Sequence, residues 1–209
     1  MSGPAQVTDG LRAILSHPAV YSGFQKLLGA ERSRRKLSQE HLRVQPGDVV
    51  VDVGCGPADI LECLPRDIEY HGFDLSQRYI DAARDRYGDR GIFHCADVQD
   101  LVGEALPPCQ LAIAIGLLHH LDDPAAMGLI SSLYERLAPG GRLVTLDGGY
   151  WPGQSRIGRA LARRDRGQHV RTAEGYAALV DARFSRVEVI RREDLLLVPY
   201  SHVILECTK

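Results

Sequence analysis

Val49-Val50-Val51-Asp52-Val53-Gly54-Cys55-Gly56-Pro57-Ala58 is the stretch whose reading decides the fold. Its first five residues form a β-branched run, apolar enough for a strand buried on both faces. The run passes into two glycines and then a short helical pattern near Ala58–Leu64. Gly54 and Gly56 let the backbone turn sharply and approach a ligand with no Cβ in the way.

Strands and helices alternate outward from this turn. Tyr70-His71-Gly72-Phe73 reads as a strand ending at Asp74, and Ser76 caps a helix carrying Tyr79, Ile80, Ala83 and Tyr87 on one face, stopped by Gly88. Gly91–Cys95 and Gln110–Ile115 read as the third and fourth strands. Asp123-Pro124 opens a helix with Ala126, Leu129, Ile130, Leu133 and Leu137 at helical spacing. Pro139-Gly140-Gly141 closes it, and Arg142–Leu146 is the fifth strand. A polar, arginine-rich insertion spans 150–171, a helix follows near Ala173–Ala182, and two strand-like runs, Arg186–Arg191 and His202–Cys207, end the chain. Upstream, residues 8–43 read as helical, before the turn Gln45-Pro46-Gly47-Asp48.

This order predicts an α/β, Rossmann-like three-layer sandwich. Its mostly parallel, seven-stranded sheet carries a C-terminal antiparallel hairpin and an N-terminal helical extension. One domain is expected over 1–209: a helical cap at 1–44, a cofactor-binding core at 45–149, a substrate lid at 150–172, and the closing helix and hairpin at 173–209.

Composition narrows the function. The chain has 209 residues and a formal net charge of −2, so it offers no chain-wide basic field for nucleic acid or anionic lipid. No apolar run approaches the ~18 residues of a membrane span, and MSGPAQVTDG lacks the basic start and apolar stretch of a secretory signal. Five cysteines, Cys55, Cys63, Cys95, Cys109 and Cys207, stand singly with no CxxC pair. These features predict reduced thiols, no metal site, no membrane and a cytoplasmic location.

The glycine turn, with Asp74 at the end of the next strand to hold ribose hydroxyls, points to an adenosine-type ligand. A pyrophosphate fingerprint G-x-G-x-x-G would need glycine at 59, where Asp59 stands. Asp52, inside the first strand, is equally awkward for pyrophosphate and suits a ligand with a cationic end.

The ordered set DVGCG (52–56), FDLS (73–76), CADV (95–98), AIGLLHHLDD (114–123) and LAPGGRLV (137–144) resembles the class I S-adenosylmethionine-dependent methyltransferases, especially the bacterial small-molecule type. The resemblance implies S-adenosylmethionine as cofactor. It puts Gly54, Cys55 and Gly56 under the methionine part, Asp74 with Leu75 at the ribose, and Asp97 and Val98 at the adenine. Ile115 and Gly116 then face the ammonium. Ala58 departs from the family pattern, in which a third glycine is common there, and alanine is still small.

Methyl transfer from a sulfonium is an in-line displacement that depends on alignment, with a general base needed only when the nucleophile arrives protonated. His119 and His120 follow the fourth strand at the sheet edge where such folds bind ligands. His120 is the favoured base because it lies further out of the strand, and His169 is an alternative; packing roles compete for all three. For the small-molecule acceptor, the candidates are Tyr21, with Phe24 nearby, Tyr150, and the basic segment containing Arg156, Arg159, Arg163, Arg164, Arg166 and Arg171. Six arginines can bind an anionic acceptor, although a solvated helix face produces the same cluster. Arg34 and Arg35 are candidates for the methionine carboxylate.

Three other functions compete. A nucleic-acid methyltransferase would carry an Asn/Asp-Pro-Pro-aromatic loop after the fourth strand, where Gly116-Leu117-Leu118-His119-His120 stands. A non-catalytic S-adenosylmethionine-binding protein stays open, since fold does not set function. A nicotinamide dehydrogenase is opposed by Asp59.

Overall fold

The computed structural model describes residues 29–97, 106–164 and 167–209. Tyr21, Phe24, Val98, Asp165 and Arg166 lie outside the described residues, as does the part of the expected N-terminal helix before residue 29. The strands are β1 (Val49–Val53), β2 (Glu69–Asp74), β3 (Ile92–Cys95), β4 (Cys109–Ile115), β5 (Leu137–Tyr150), β6 (Arg171–Thr172), β7 (Arg186–Arg192) and β8 (His202–Thr208). The α-helices are α1 (Ala30–Leu37), α2 (Gln77–Tyr87), α3 (Asp123–Arg136), α4 (Arg156–Ala162) and α5 (Ala173–Ala177). Among the described residues no helix is long and apolar enough to cross a membrane.

The sheet runs β3-β2-β1-β4-β5-β8-β7, with β6 pairing only β5. Strands β1 to β5 run parallel to one another, while β8 is antiparallel to both β5 and β7. The seven expected strands are present. The eighth, Arg171–Thr172, has two residues, too few for any periodic signal, and exists because Gly149 and Tyr150 offer it a parallel partner. The strand order reverses between β1 and β4, and open α/β sheets bind ligands at the carboxyl ends of strands at such a reversal.

Side chains alternate across β1 as the strand period requires. Val51 and Val53 pack with Leu129, Ile130 and Leu133 of α3 on one face. Val50 packs with Ile80, Ala83 and Tyr87 of α2 and Leu37 of α1 on the other. Helix, sheet and helix form the three layers. Asp52 shares the face of Val50, which turns it toward α1 and α2.

Local chemistry adjusts several boundaries. The turn after β1 is a five-residue 3-10 helix, Asp59–Cys63, not an α-helix. The cap of α3 is Asp122, whose Oδ1 accepts the Ala125 amide at 2.9 Å, one residue earlier than the Asp123 expected. Helix α3 stops at Arg136 because Pro139 disfavours helical backbone at the residue before it, so Leu137 already pairs with Cys109. Strand β5 extends to Tyr150 because β8 and β6 both pair with its far end. Helix α1 continues into a π turn, Ser38–Leu42. That turn is pinned to the sheet by His41 Nδ1 against Glu206 (2.7 Å) and by Arg142 donating to the His41 carbonyl (2.9 Å). This attachment brings Arg34 of α1 over the ends of the central strands.

Candidate active site

A cavity of about 500 Å³ opens at the carboxyl ends of β1, β2, β4 and β5. Asp52, Gly54, Cys55, Gly56, Asp74, Ile115 and Gly116 line it, as do His119 and His120. The turn is shaped by backbone that glycine favours: φ is 76° at Gly54, 56° at Gly56 and 67° at Gly116. A Cβ on Gly56 would meet nothing within 4 Å, so this glycine leaves open space where a ligand must pass close to the chain. Ala58 also sits in left-handed backbone, at φ 57°, where glycine would be unstrained.

Asp74 holds the turn in place. Its Oδ2 accepts the Gly56 amide at 2.9 Å and its Oδ1 the Ser76 amide at 2.8 Å. Burial raises its pKa, opposed by those two bonds. The carboxylate is therefore held at the cavity by the chain itself.

Asp52 is 2% exposed. Its Oδ2 accepts the Tyr70 hydroxyl at 2.5 Å, while its Oδ1 has no partner among the described residues. Burial pushes its pKa up to about 7; the Tyr70 bond opposes this and the nearby Asp74 adds to it. An under-compensated buried carboxylate beside a cavity calls for positive charge in the ligand, and an S-adenosylmethionine methionine end carries it. The orphaned carboxyl oxygen, the open glycine cradle and the fixed Asp74 together fit that cofactor. Burial, with Asp52 and Asp74 nearby, holds the Cys55 thiol well above its usual range, so Cys55 shapes the turn as a neutral group.

Asp59 is paired with Arg86 (2.8 Å) and Arg34 (3.8 Å), so its charge is largely met. A dinucleotide is opposed by the 3-10 turn more than by that charge, because pyrophosphate sites use the aligned amides of an α-helix N-terminus. Arg34 lines the cavity, whereas Arg35 pairs with Glu31 (2.8 Å).

The histidines separate clearly. His119 Nδ1 lies 2.7 Å from Asp147 Oδ1, with both side chains almost fully buried, and its amide donates to the same oxygen at 3.2 Å. The His120 ring lies beside it, tilted by 42° with ring centroids 4.1 Å apart. His169 reaches this cluster only by its backbone, donating to the His119 carbonyl at 2.9 Å. Arg171, counted among the basic lid residues, is a strut. It donates to the carbonyls of Leu118 (2.8 Å), Leu121 (2.7 Å) and His169 (3.0 Å) and pairs with Asp123 (2.7 Å).

Leu75, Asp97, Tyr150, Arg156, Arg163, Arg164 and His169 are not among the described residues that line the cavity. Leu75 is 68% exposed, and the three arginines are exposed on and just after α4. The anionic-acceptor expectation therefore rests on no contact in the cavity. Sequence reasoning missed Asp147, Tyr70, Tyr200 and His202. An acid ending an apolar strand was a usable signal for Asp147, as it was for Asp52. Tyr200 and His202 reach the cavity only through the pairing of β8 with β5.

Residues 50–141 match the family described as the methyltransferase domain. The chain is 33% identical over 101 residues to a ubiquinone biosynthesis O-methyltransferase of Xylella fastidiosa (strain 9a5c), covering 46% of this chain and 40% of that protein. It is 26% identical over 206 residues to a phosphoethanolamine N-methyltransferase of Triticum aestivum, covering 95% of this chain and 40% of that protein. The chain thus spans about two fifths of the length of these curated relatives. Human N-acetylserotonin methyltransferase, solved in complex with S-adenosylmethionine, has the same fold, with a TM-score of 0.68 and 18% identity over 97% of this chain and 60% of that one. Residues 50–141 thus match a methyltransferase domain, and the chain around them has the fold of a solved S-adenosylmethionine-bound methyltransferase.

Proposed function

We propose that this chain transfers a methyl group from S-adenosylmethionine to a small-molecule acceptor whose nucleophile arrives carrying a proton, as a hydroxyl or an ammonium. The observation that carries this reading is that the cofactor residues and the His119–Asp147 pair line one cavity. The names of the relatives support it, since one methylates oxygen and the other nitrogen.

Bound S-adenosylmethionine supplies a methyl group activated on sulfonium. The chain supplies geometry and proton handling. Asp74 and the glycine turn hold the adenosine and methionine parts, Asp52 faces the positive end, and Arg34 is the candidate for the ligand carboxylate. His119 is the proposed base, in place of His120. A carboxylate can only accept, so the bond to Asp147 puts a proton on Nδ1 and leaves Nε2 as the accepting nitrogen. When Nε2 takes the proton, the buried Asp147 stabilises the imidazolium. A base placed this way contributes about 10²–10⁴-fold to the rate. The five free thiols suit a reducing cytosol, where we place the activity.

The test is a screen of phenols, catechols and primary amines with methyl-labelled S-adenosylmethionine, followed by kinetics on the best acceptor. His119→Gln is expected to lower kcat about 10²-fold or more, remove the acid limb of the pH profile, and change cofactor affinity little. Full turnover in that variant would refute the base assignment. Cofactor binding with no methylation of any acceptor would favour the non-catalytic reading.

A further inference from the structure

Tyr70 is 1% exposed and sits in a slot prepared for it. In the parallel pairing of β1 and β2, Asp52 lies opposite Gly72, and Tyr70 lies opposite Val50. A Cβ at Gly72 would lie 3.0 Å from Tyr70 Cε1, and one at Gly91 would lie 2.8 Å from Tyr70 Cδ1. Phe93 closes the slot, its ring centroid 5.9 Å from that of Tyr70. Two glycines thus make room for the ring, whose hydroxyl ends 2.5 Å from Asp52 Oδ2. Apolar packing alone would place no hydroxyl there.

We propose that Tyr70 is a positioning residue for the cofactor site, holding the Asp52 carboxylate at the cavity floor in its charged form so that affinity for S-adenosyl ligands follows Asp52 ionisation. The proposal rests on the reading of this cavity as the cofactor site. Only the ionised carboxyl attracts the ligand ammonium. With burial raising the Asp52 pKa to about 7, roughly one tenth of the protein is ionised at pH 6. Apparent affinity there is about tenfold weaker than at pH 8 or above.

Other groups around the cavity also carry charge. Asp74 from β2 and Asp59 from the turn stand on the Asp52 side, with Arg34 reaching in from α1 and the Cys55 thiol neutral between them. His119 and His120, after β4, Asp147 of β5, His202 of β8 and the phenols Tyr79 and Tyr200 complete the titratable set among the described residues. Replacing Asp52 separates its titration from any effect of the histidines, because a histidine effect survives that change.

The experiment is calorimetric titration with S-adenosylhomocysteine, which carries the same ammonium, from pH 5.5 to 8.5. Wild-type protein is expected to lose about tenfold in affinity between pH 8 and pH 6. Tyr70→Phe removes a hydrogen bond to a charged group, so the midpoint should move up by about one pH unit or more. Asp52→Asn should bind weakly with a flat profile. A Tyr70→Phe midpoint equal to that of wild type overturns the proposal, whatever happens to stability. Should Tyr70→Phe not fold, Asp52→Asn decides: a profile still falling like that of wild type overturns it. Wild-type protein that binds no ligand at any pH overturns the cofactor reading and the proposal together, whereas binding with an unmoved midpoint overturns the proposal alone.

Discussion

Replacing Asp52 with asparagine should stabilise the ligand-free protein, and by an amount that grows with pH. In the fold the Asp52 carboxyl titrates near 7 instead of its ordinary 3.8, because burial penalises the charge more than Tyr70 relieves it. The native state therefore binds more protons than the unfolded chain across that interval. Stability from this group is fully present below the unfolded value and is lost as pH rises through the folded one. From pH 5 to pH 8 the loss is about 2.5 kcal/mol, taking each tenfold as about 1.4 kcal/mol. Asparagine carries no such charge and still accepts from the Tyr70 hydroxyl. The gap in stability between Asp52→Asn and wild type should widen by about 2.5 kcal/mol over that range. Urea unfolding of both proteins at pH 5, 6, 7 and 8, followed by circular dichroism, measures it. At an m-value of about 2 kcal/mol/M the difference in midpoints changes by about 1 M. Contributions of other titrating groups cancel in the comparison. A gap that stays constant from pH 5 to pH 8 would refute the claim that Asp52 is ionised at a cost in the free cavity.

Three further outcomes are expected. Asp74→Ala removes the acceptor for the Gly56 and Ser76 amides and, on the proposed reading, for the ribose, and should weaken S-adenosylmethionine binding at least about tenfold by calorimetry. Gly167→Ala would drive a Cβ into the His119 ring. It should cost about 2 kcal/mol in urea unfolding and lower His119-dependent turnover while cofactor affinity changes less than about threefold. Ala58→Gly should leave stability within about 1 kcal/mol of wild type, because relief of left-handed strain is offset by a lost buried methyl and a freer unfolded chain.

Much of the core is legible in the amino-acid sequence. The apolar run of β1, the turn after it and the Ser76 cap are written in adjacent residues, and the strands stand where these signals fall. The meeting of Gly54, Gly56 and Asp74 at one cavity follows, since they act through backbone shape and strand ends. The acceptor side is not legible in the same way. The arginines of 156–164 cluster in sequence but are exposed on and just after α4, and Arg171 spends its donors on carbonyls of the loop that carries His119. Distance along the chain, the ground for favouring His120 over His119, carries no record of Asp147, whose carboxylate reaches His119 from the next strand.

What the amino-acid sequence by itself determined is the class of fold and the strand–turn element at its centre. Hydrophobic period and positive-φ glycines are local properties, set by sterics within a few residues. The tertiary structure alone decided which acids and histidines meet. Strand register put Tyr70 under Asp52, and the pairing of β4 with β5 put Asp147 beside His119. Insertion of β8 between β5 and β7 brought Tyr200 and His202 to the same cavity. These encounters depend on how distant segments pair and pack, and local pattern does not record that.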